Sequence, residues 1–469
     1  MSRGKELIKN TAIIAVGKVC TKFLSFFLLP FYTAVLSQED YGIVDLINTY
    51  ISLLLPLIVF QIEDAIFRFT IDIRNKEEEK RKVVSTAVSF CLMQSLIFTL
   101  IFGLIQWFVD IPYGEYLYIN VIVSIFSGML LQMTRGLGDN TGYAFASFLT
   151  ALLAILMNMV LVLIFHMGAD GLFITSFVSN LIGVIYLLAR EKLFPYIRPR
   201  WFDKHLLKNM LSYSLPLVPN TLSWWVIGAS DKTVVTWFLG SAQNGILSVS
   251  QKFSTVYTTF YSIFNLSWTE NAAVHKDDSD SAEYYSQIID TSFRVLSSAC
   301  IGIIAGVALA FPILVNVKFD ESYYQIPIYM LSSLIYSVIG IYSVVYIAYK
   351  RTANIAKTSM IAAAINFLLN VVLIQYIGLY AASISSVAAY AVMLAIRYFD
   401  IQKFIKIRTD KKLVLSVVCM MVLQFVTYYV RNFWVSVVNF LIVVLYALYL
   451  NRNFMTEIIQ FVKQKLGKV

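Results

Sequence analysis

Five cations stand inside long apolar stretches of this 469-residue chain, where a charge needs a reason. Lys18 and Lys22 are four apart and share one face of the first stretch, while Lys232, Lys252 and Arg294 lie in later ones. On a helix rising 1.5 Å per residue, Lys18 lies ~12 Å and Lys22 ~18 Å beyond Asn10. Lys18 can snorkel to the headgroups, but Lys22 is past the middle of a ~30 Å hydrocarbon core. One cation near the midplane costs roughly 2.5–3.5 kcal/mol on insertion scales, so the pair should face a wet cavity. Lys252 stands among Ser248, Ser250, Gln251, Ser254, Thr255, Thr258, Thr259 and Ser262. That density suggests a solvated wall, with hydrogen bonding between helices as the alternative use. Arg294 is close enough to the end of its stretch that snorkelling explains it as well as a functional role does. The five together need a polar lumen, a partner or an anionic ligand, and they are the candidate substrate-binding set.

A second constellation is Asp231 with Asn366 and Asn370. The two Asn are i, i+4 and share a face, and a carboxylate with amide oxygens is hard-oxygen chemistry suited to Na⁺ or a proton. Two simpler readings compete: Asp231 neutralises its neighbour Lys232, and the Asn pair hydrogen-bonds adjacent helices. Asp64 and Arg68 (i, i+4) read as a local ion pair. Cys20, Cys91, Cys300 and Cys419 fall in apolar stretches without CxxC spacing, and the three His form no HExxH. The reading therefore contains no metal, no cofactor and no catalytic residue. The chain also carries no GxxxxGK[ST] phosphate loop to use ATP, so any one-way transport would need a gradient, the membrane potential or a downstream sink.

The elements that position these residues are membrane helices. Mean hydropathy is +0.72 and only 14 % of residues are charged, against ~25 % in soluble domains. The apolar stretches recur from Ala12 to Leu450 and number fourteen, including 11–36, 42–67, 84–109, 210–238, 245–269, 288–315, 358–377, 380–397 and 433–450. No short alternating segments of the barrel type occur, so the chain reads as an all-α polytopic membrane protein. With the N-terminus in the cytoplasm, Lys318 and Arg431 fall in external loops and every other Lys or Arg outside the spans falls in a cytoplasmic segment. Both termini are then cytoplasmic. The net charge of +9 is accounted for by this sorting and by anionic lipid, and it argues against a nucleic-acid partner. The longest external loop, 316–324, offers Asp320 and Glu321 with no partner in sight. That is thin material for a membrane glycosyltransferase, polymerase or ligase. The tail from Phe454 reads as an interfacial amphipathic helix.

The chain repeats itself. Leu36-Ser-Gln-Glu-Asp-Tyr-Gly42-Ile43 returns as Leu239-Gly-Ser-Ala-Gln-Asn-Gly245-Ile246, 203 positions on. Six spans separate the copies, so both halves run in the same sense, related by an axis along the membrane normal. The expected architecture is two parallel six-helix lobes around a central cavity, at 1–205 and 206–400. Spans 13 and 14 and the tail, at 401–469, stand outside the repeat.

Lys9-Asn10-Thr11 with its basic first span, the Leu-x5-Gly-Ile repeats and Arg135-Gly136 carry a resemblance over essentially the whole chain. So do Asn366-Phe-Leu-Leu-Asn370 followed by Gly378, Ala381 and Ala382. In these features the sequence resembles the polysaccharide flippases of the multidrug/oligosaccharidyl-lipid/polysaccharide (MOP) exporter superfamily. The resemblance implies a V-shaped pair of lobes alternating between inward- and outward-open states. It also implies a cargo of undecaprenyl-pyrophosphate-linked oligosaccharide, a cation site among the helices of Asp231, Asn366 and Asn370, and a bacterial plasma-membrane location beside the polysaccharide biosynthesis machinery, as a monomer. Gln375 and Leu379-Tyr380 depart from the family pattern, which blurs the subfamily. A peptidoglycan or teichoic-acid precursor is the alternative cargo, and a cation-coupled multidrug exporter the alternative transporter. The latter would favour an acidic or apolar lumen, whereas the deepest charge here is Lys22.

Overall fold

The computed structural model describes residues 26–452 apart from 72, 75, 275–277 and 350, together with residue 456. Lys18, Lys22 and Cys20, most of the first span and most of the amphipathic tail lie outside the described residues. Within them every regular element is helical. Eleven helices are long and apolar enough to cross a membrane. The helices over the seventh and eighth expected spans, Val218–Leu239 and Ser241–Val274, are not among those eleven.

The described residues form two compact units: 35–233, and 26–34 together with 234 onward. In chain order the helices begin with α1 (Leu29–Val35), α2 (Gln38–Val59) and α3 (Ile62–Ile71), followed by α4 (Glu77–Phe108) and α5 (Gly114–Leu137). Next come α6 (Asn140–Asn158, which runs on through a π-helical turn to Ile164), α7 (Gly168–Arg190) and the short α8 (Lys204–Ser214). α9 (Val218–Leu239) crosses the division at Thr233. The second unit adds α10 (Ser241–Val274), α11 (Ser281–Leu314), α12 (Ile326–Ala348), α13 (Thr352–Ile377), α14 (Tyr380–Ile401), α15 (Lys411–Tyr429) and α16 (Phe433–Leu450).

Helix starts follow from capping chemistry. The Ser37 hydroxyl accepts from Asp40 N at 2.9 Å, and the carboxylates of Asp139, Asp203 and Asp410 accept from the first amides of α6, α8 and α15. Gly240 alone turns the chain from α9 into α10, at φ +91°, which a side chain would resist. The expected continuous span 42–67 is in fact two helices. Pro56 interrupts the amide ladder of α2, and Phe60 and Gln61 are both left-handed (φ 51° and 56°) before α3 restarts with Glu63 and Asp64 in its first turn. The uninterrupted apolar run hid that break. In the first unit α3 and α7 pack on α5, and α6 on α7. In the second, α12 packs on α10 and α14, α14 on α13, and α15 and α16 on α11.

Candidate functional site

Lys232 is not neutralised by its neighbour. Its ammonium meets Asp45 Oδ2 of α2 at 2.8 Å, and both side chains are four-fifths shielded. The contact is made possible by how α9 sits on α2: the Trp225 indole N–H donates to Thr49 O at 3.0 Å and to Ser52 Oγ at 3.2 Å. One use of these polar groups of α2 is to hold α9 in place. Asp231, the next residue, is buried in the same unit. Asp64 accepts from Gln61 Nε2 at 3.1 Å, across the break that starts α3. Glu63 extends to α5, where Gly128 makes room: a Cβ there would lie 2.3 Å from Glu63 Oε1.

In the second unit Lys252 is half-buried on α10 and makes no ion pair among the described residues. The hydroxyls around it divide into two sets. Ser248, Ser250 and Ser254 are buried, and the Ser250 hydroxyl donates to Ser322 O at 3.0 Å, so this set is occupied with packing as well as solvation. Thr255, Thr259 and Ser262 continue from Lys252 at i+3, i+7 and i+10 as a partly open stripe whose hydroxyls bond back to their own helix. Tyr261 inserts its hydroxyl end over Gly340 of α12, where any Cβ would collide with it.

Asn366 and Asn370 are buried on α13, and Asn366 faces the Ser-rich α14. Asn366 Nδ2 donates to Ser386 Oγ at 3.1 Å and to Ser385 Oγ at 3.3 Å. Arg294 reaches Asp410 Oδ2 at 3.7 Å, with both groups about a third exposed. Beside it Ser286 Oγ accepts from Arg408 N and Asp290 Oδ1 from Asp410 N, so this cluster fastens the segment before α15 onto α11. Asp320 does have a partner. Arg431 grips it with two bonds of 2.6 Å, and Glu321 accepts from Gln243 at 3.3 Å.

One charged residue escaped the sequence reading. Arg397 was placed at the cytoplasmic end of its span, but α14 continues to Ile401 and the side chain is fully buried. Its Nε donates to Thr358 Oγ1 at 2.9 Å, and Nη2 to Ser359 Oγ at 3.0 Å and Ile355 O at 3.2 Å. Nη1 bonds Ser343 Oγ. No carboxylate forms an ion pair with it among the described residues. Asp400, one turn on, is taken by Tyr346, Asn354 and Lys403. Thr358 and Ser359, adjacent hydroxyls near the start of an apolar helix, were the available signal. An apolar groove of about 1160 Å³ runs along α11, α12, α14 and α15, lined by Leu334, Val338, Leu394, Val418 and Met421, with Asp290 and Lys411 also on its wall.

Residues 7–269, a little over half of the chain, match the family model described as polysaccharide biosynthesis protein. No curated protein sequence matches the chain. Among solved structures, the chain resembles an inward-facing multidrug resistance MATE family transporter of the MOP superfamily at 13 % identity and TM-score 0.67. That match covers 83 % of this chain and 98 % of that one. It equally resembles the lipid II flippase MurJ in an inward closed conformation, at 15 % identity and TM-score 0.67, over 95 % of this chain and 99 % of that one. The chain thus has the fold of these multi-pass membrane proteins.

Proposed function

The chain belongs to the polysaccharide biosynthesis protein family, and we propose that it is a flippase for a lipid-linked oligosaccharide within the MOP exporter superfamily, whose fold it has. The cargo is an undecaprenyl-pyrophosphate-linked polysaccharide repeat unit, moved from the inner to the outer leaflet by alternating access. The observation that carries this reading is Lys252, a half-buried cation on α10, over the eighth expected span, that makes no ion pair among the described residues. A pyrophosphate cannot cross hydrocarbon unaccompanied, and an ammonium on a hydroxylated helix would stabilise it midway. Lys22 is its proposed counterpart in the first half of the chain, with Lys18 beside it. Lys232 and Arg294, already paired, contribute charge less directly. In this reading the protein transports rather than catalyses, acts as a monomer, and keeps both termini in the cytoplasm.

Depletion in cells tests the function. Lipid-linked repeat units should accumulate in the inner leaflet, and a Lys22→Ala, Lys252→Ala double variant should reproduce this at normal protein levels. Full export by the double variant would end the assignment. The accumulating lipid also identifies the cargo: a peptidoglycan precursor would shift the reading toward the lipid II flippase that the fold resembles.

Energy coupling is proposed through Na⁺ or H⁺ entry, with Asp231, Asn366 and Asn370 as the responsive groups. The burial of Asp231, a carboxylate within an apolar stretch, supports it, while the bonds of Asn366 to Ser385 and Ser386 also serve helix packing. The membrane potential adds about 2.3 kcal/mol per charge per 100 mV for outward release of an anion. Vesicle transport with each gradient dissipated separately decides the matter. If neither matters and Asp231→Asn behaves as the parent, there is no such coupling.

A further inference from the structure

Three arginines converge on one indole at the basic-loop end of the first unit. The guanidinium carbons of Arg81, Arg198 and Arg200 lie 5.2, 5.5 and 4.8 Å from the Trp201 ring centroid, and Lys80 Nζ lies 5.1 Å from that of Tyr196. Three like charges around one ring repel each other, and each cation–π contact returns only ~0.5–1 kcal/mol at an exposed site. None of the three guanidinium groups makes an ion pair or a side-chain hydrogen bond among the described residues, so their N–H donors are unspent. Two of the neighbouring acids are engaged elsewhere. Glu77 accepts the Tyr196 hydroxyl at 2.7 Å, and Glu79 pairs with Lys76 at 3.0 Å.

The cluster is held in place. Pro195 and Pro199 fix φ in the segment 194–201, which forms two short 3₁₀ turns. Ser85 of α4 donates to Arg198 O, and Asp203 N donates to Thr86 Oγ1 at 3.0 Å, so the segment is tied to the helix that supplies Arg81. Phe194 and Phe202 flank it, 63 % and 42 % exposed. Exposed aromatics beside fixed cations belong at the level of lipid headgroups.

We propose that this cluster is a binding site for the phosphodiester headgroup of an anionic membrane phospholipid. The guanidinium forks engage the phosphate oxygens, and the aromatic rings enter the acyl boundary beside it. The site is independent of the transport reading and goes beyond it.

Titration of the full-length protein in detergent with phosphatidylglycerol and with phosphatidylcholine, read by native mass spectrometry, tests it. Phosphatidylglycerol should bind preferentially. The triple variant R81Q, R198Q, R200Q should lose roughly 100-fold in affinity for it, and the exposed single change R200Q about fivefold. Trp201→Phe should keep the preference and Trp201→Leu weaken it, with phosphatidylcholine unaffected throughout. Equal binding of the two lipids, or a triple variant within twofold of the parent, overturns the proposal. Inorganic pyrophosphate displacing phosphatidylglycerol at equal concentration also overturns it, because the site would then read free phosphate rather than a membrane lipid.

Discussion

The two units bury their inner cations by different means. In the first, Lys232 is matched by Asp45 at 2.8 Å, charge against charge. In the second, Arg397 is fully buried among Ser343, Thr358, Ser359 and a backbone carbonyl, all neutral. A paired cation is silent at a distance, and removing either partner leaves the other stranded. A hydroxyl-solvated cation keeps its field, and its burial cost is offset by several separate charge-assisted bonds, none of which carries the whole. Together with Lys252, Arg397 therefore leaves positive charge uncompensated by local ion pairs inside the second unit. That is the polarity a transporter of anionic headgroups requires.

The largest expected effect breaks the pair. Asp45→Asn should destabilise the protein by about 3 kcal/mol, at the low end for a stranded buried charge because the side chains retain some exposure. Adding Lys232→Met should recover most of that loss, as read by thermal unfolding in detergent. If the single and double variants melt together, the pair is not an electrostatic unit. Next in size, Arg397→Lys should cost about 2 kcal/mol, because an ammonium cannot reproduce the planar fork that reaches α12 and α13 at once. Ser343→Ala should cost about 1.5 kcal/mol, the low end for a hydrogen bond to a charged group. A loss as large as that for Asp45→Asn would show that the hydroxyls act as a single network.

The smallest effect is a pH dependence at the end of α7. Burial, followed by the repulsion of Asp139, pushes Glu191 up to about 7. The bond from Arg190 is the main cause that holds Asp139 below the usual carboxylate range. Glu191 binds its proton more tightly in the folded state, so its contribution favours folding below its unfolded value of 4.5. That contribution is lost as pH rises through 7. Asp139 runs the other way, losing its contribution only as pH falls below the ordinary carboxylate range. Glu191→Gln should therefore raise the melting temperature slightly at pH 8 and leave it unchanged or lower at pH 4.5. An equal shift at both values would contradict this assignment.

Hydropathy and loop charge made the helical architecture legible, and α16 spans the same residues, 433–450, that the apolar pattern marks. The break at Phe60–Gln61 was not legible, because backbone torsion leaves no trace in an apolar run beyond Pro56. The Lys232–Asp45 pair was missed for a different reason. Sequence adjacency favoured Asp231, whereas neighbours in a helix point about 100° apart and the true partner sits on α2. Arg397 escaped because a cation near a span's end is ordinarily a topology signal, and only the packing of three helices makes it a buried one. The hydroxyls around Lys252 were read as one wall, but helical periodicity divides them between a buried face and an open stripe.

Transbilayer movement itself is the most direct test of the central claim. The purified protein is reconstituted in vesicles with a radiolabelled undecaprenyl-pyrophosphate oligosaccharide, and the fraction open to an added membrane-impermeant glycosidase is followed over time. Parent protein should expose the lipid initially confined to the inner leaflet, Lys252→Ala should slow this at least tenfold, and Lys252→Arg should retain most of it. Exposure no faster than in protein-free vesicles, or Lys252→Ala as fast as the parent, would contradict the account.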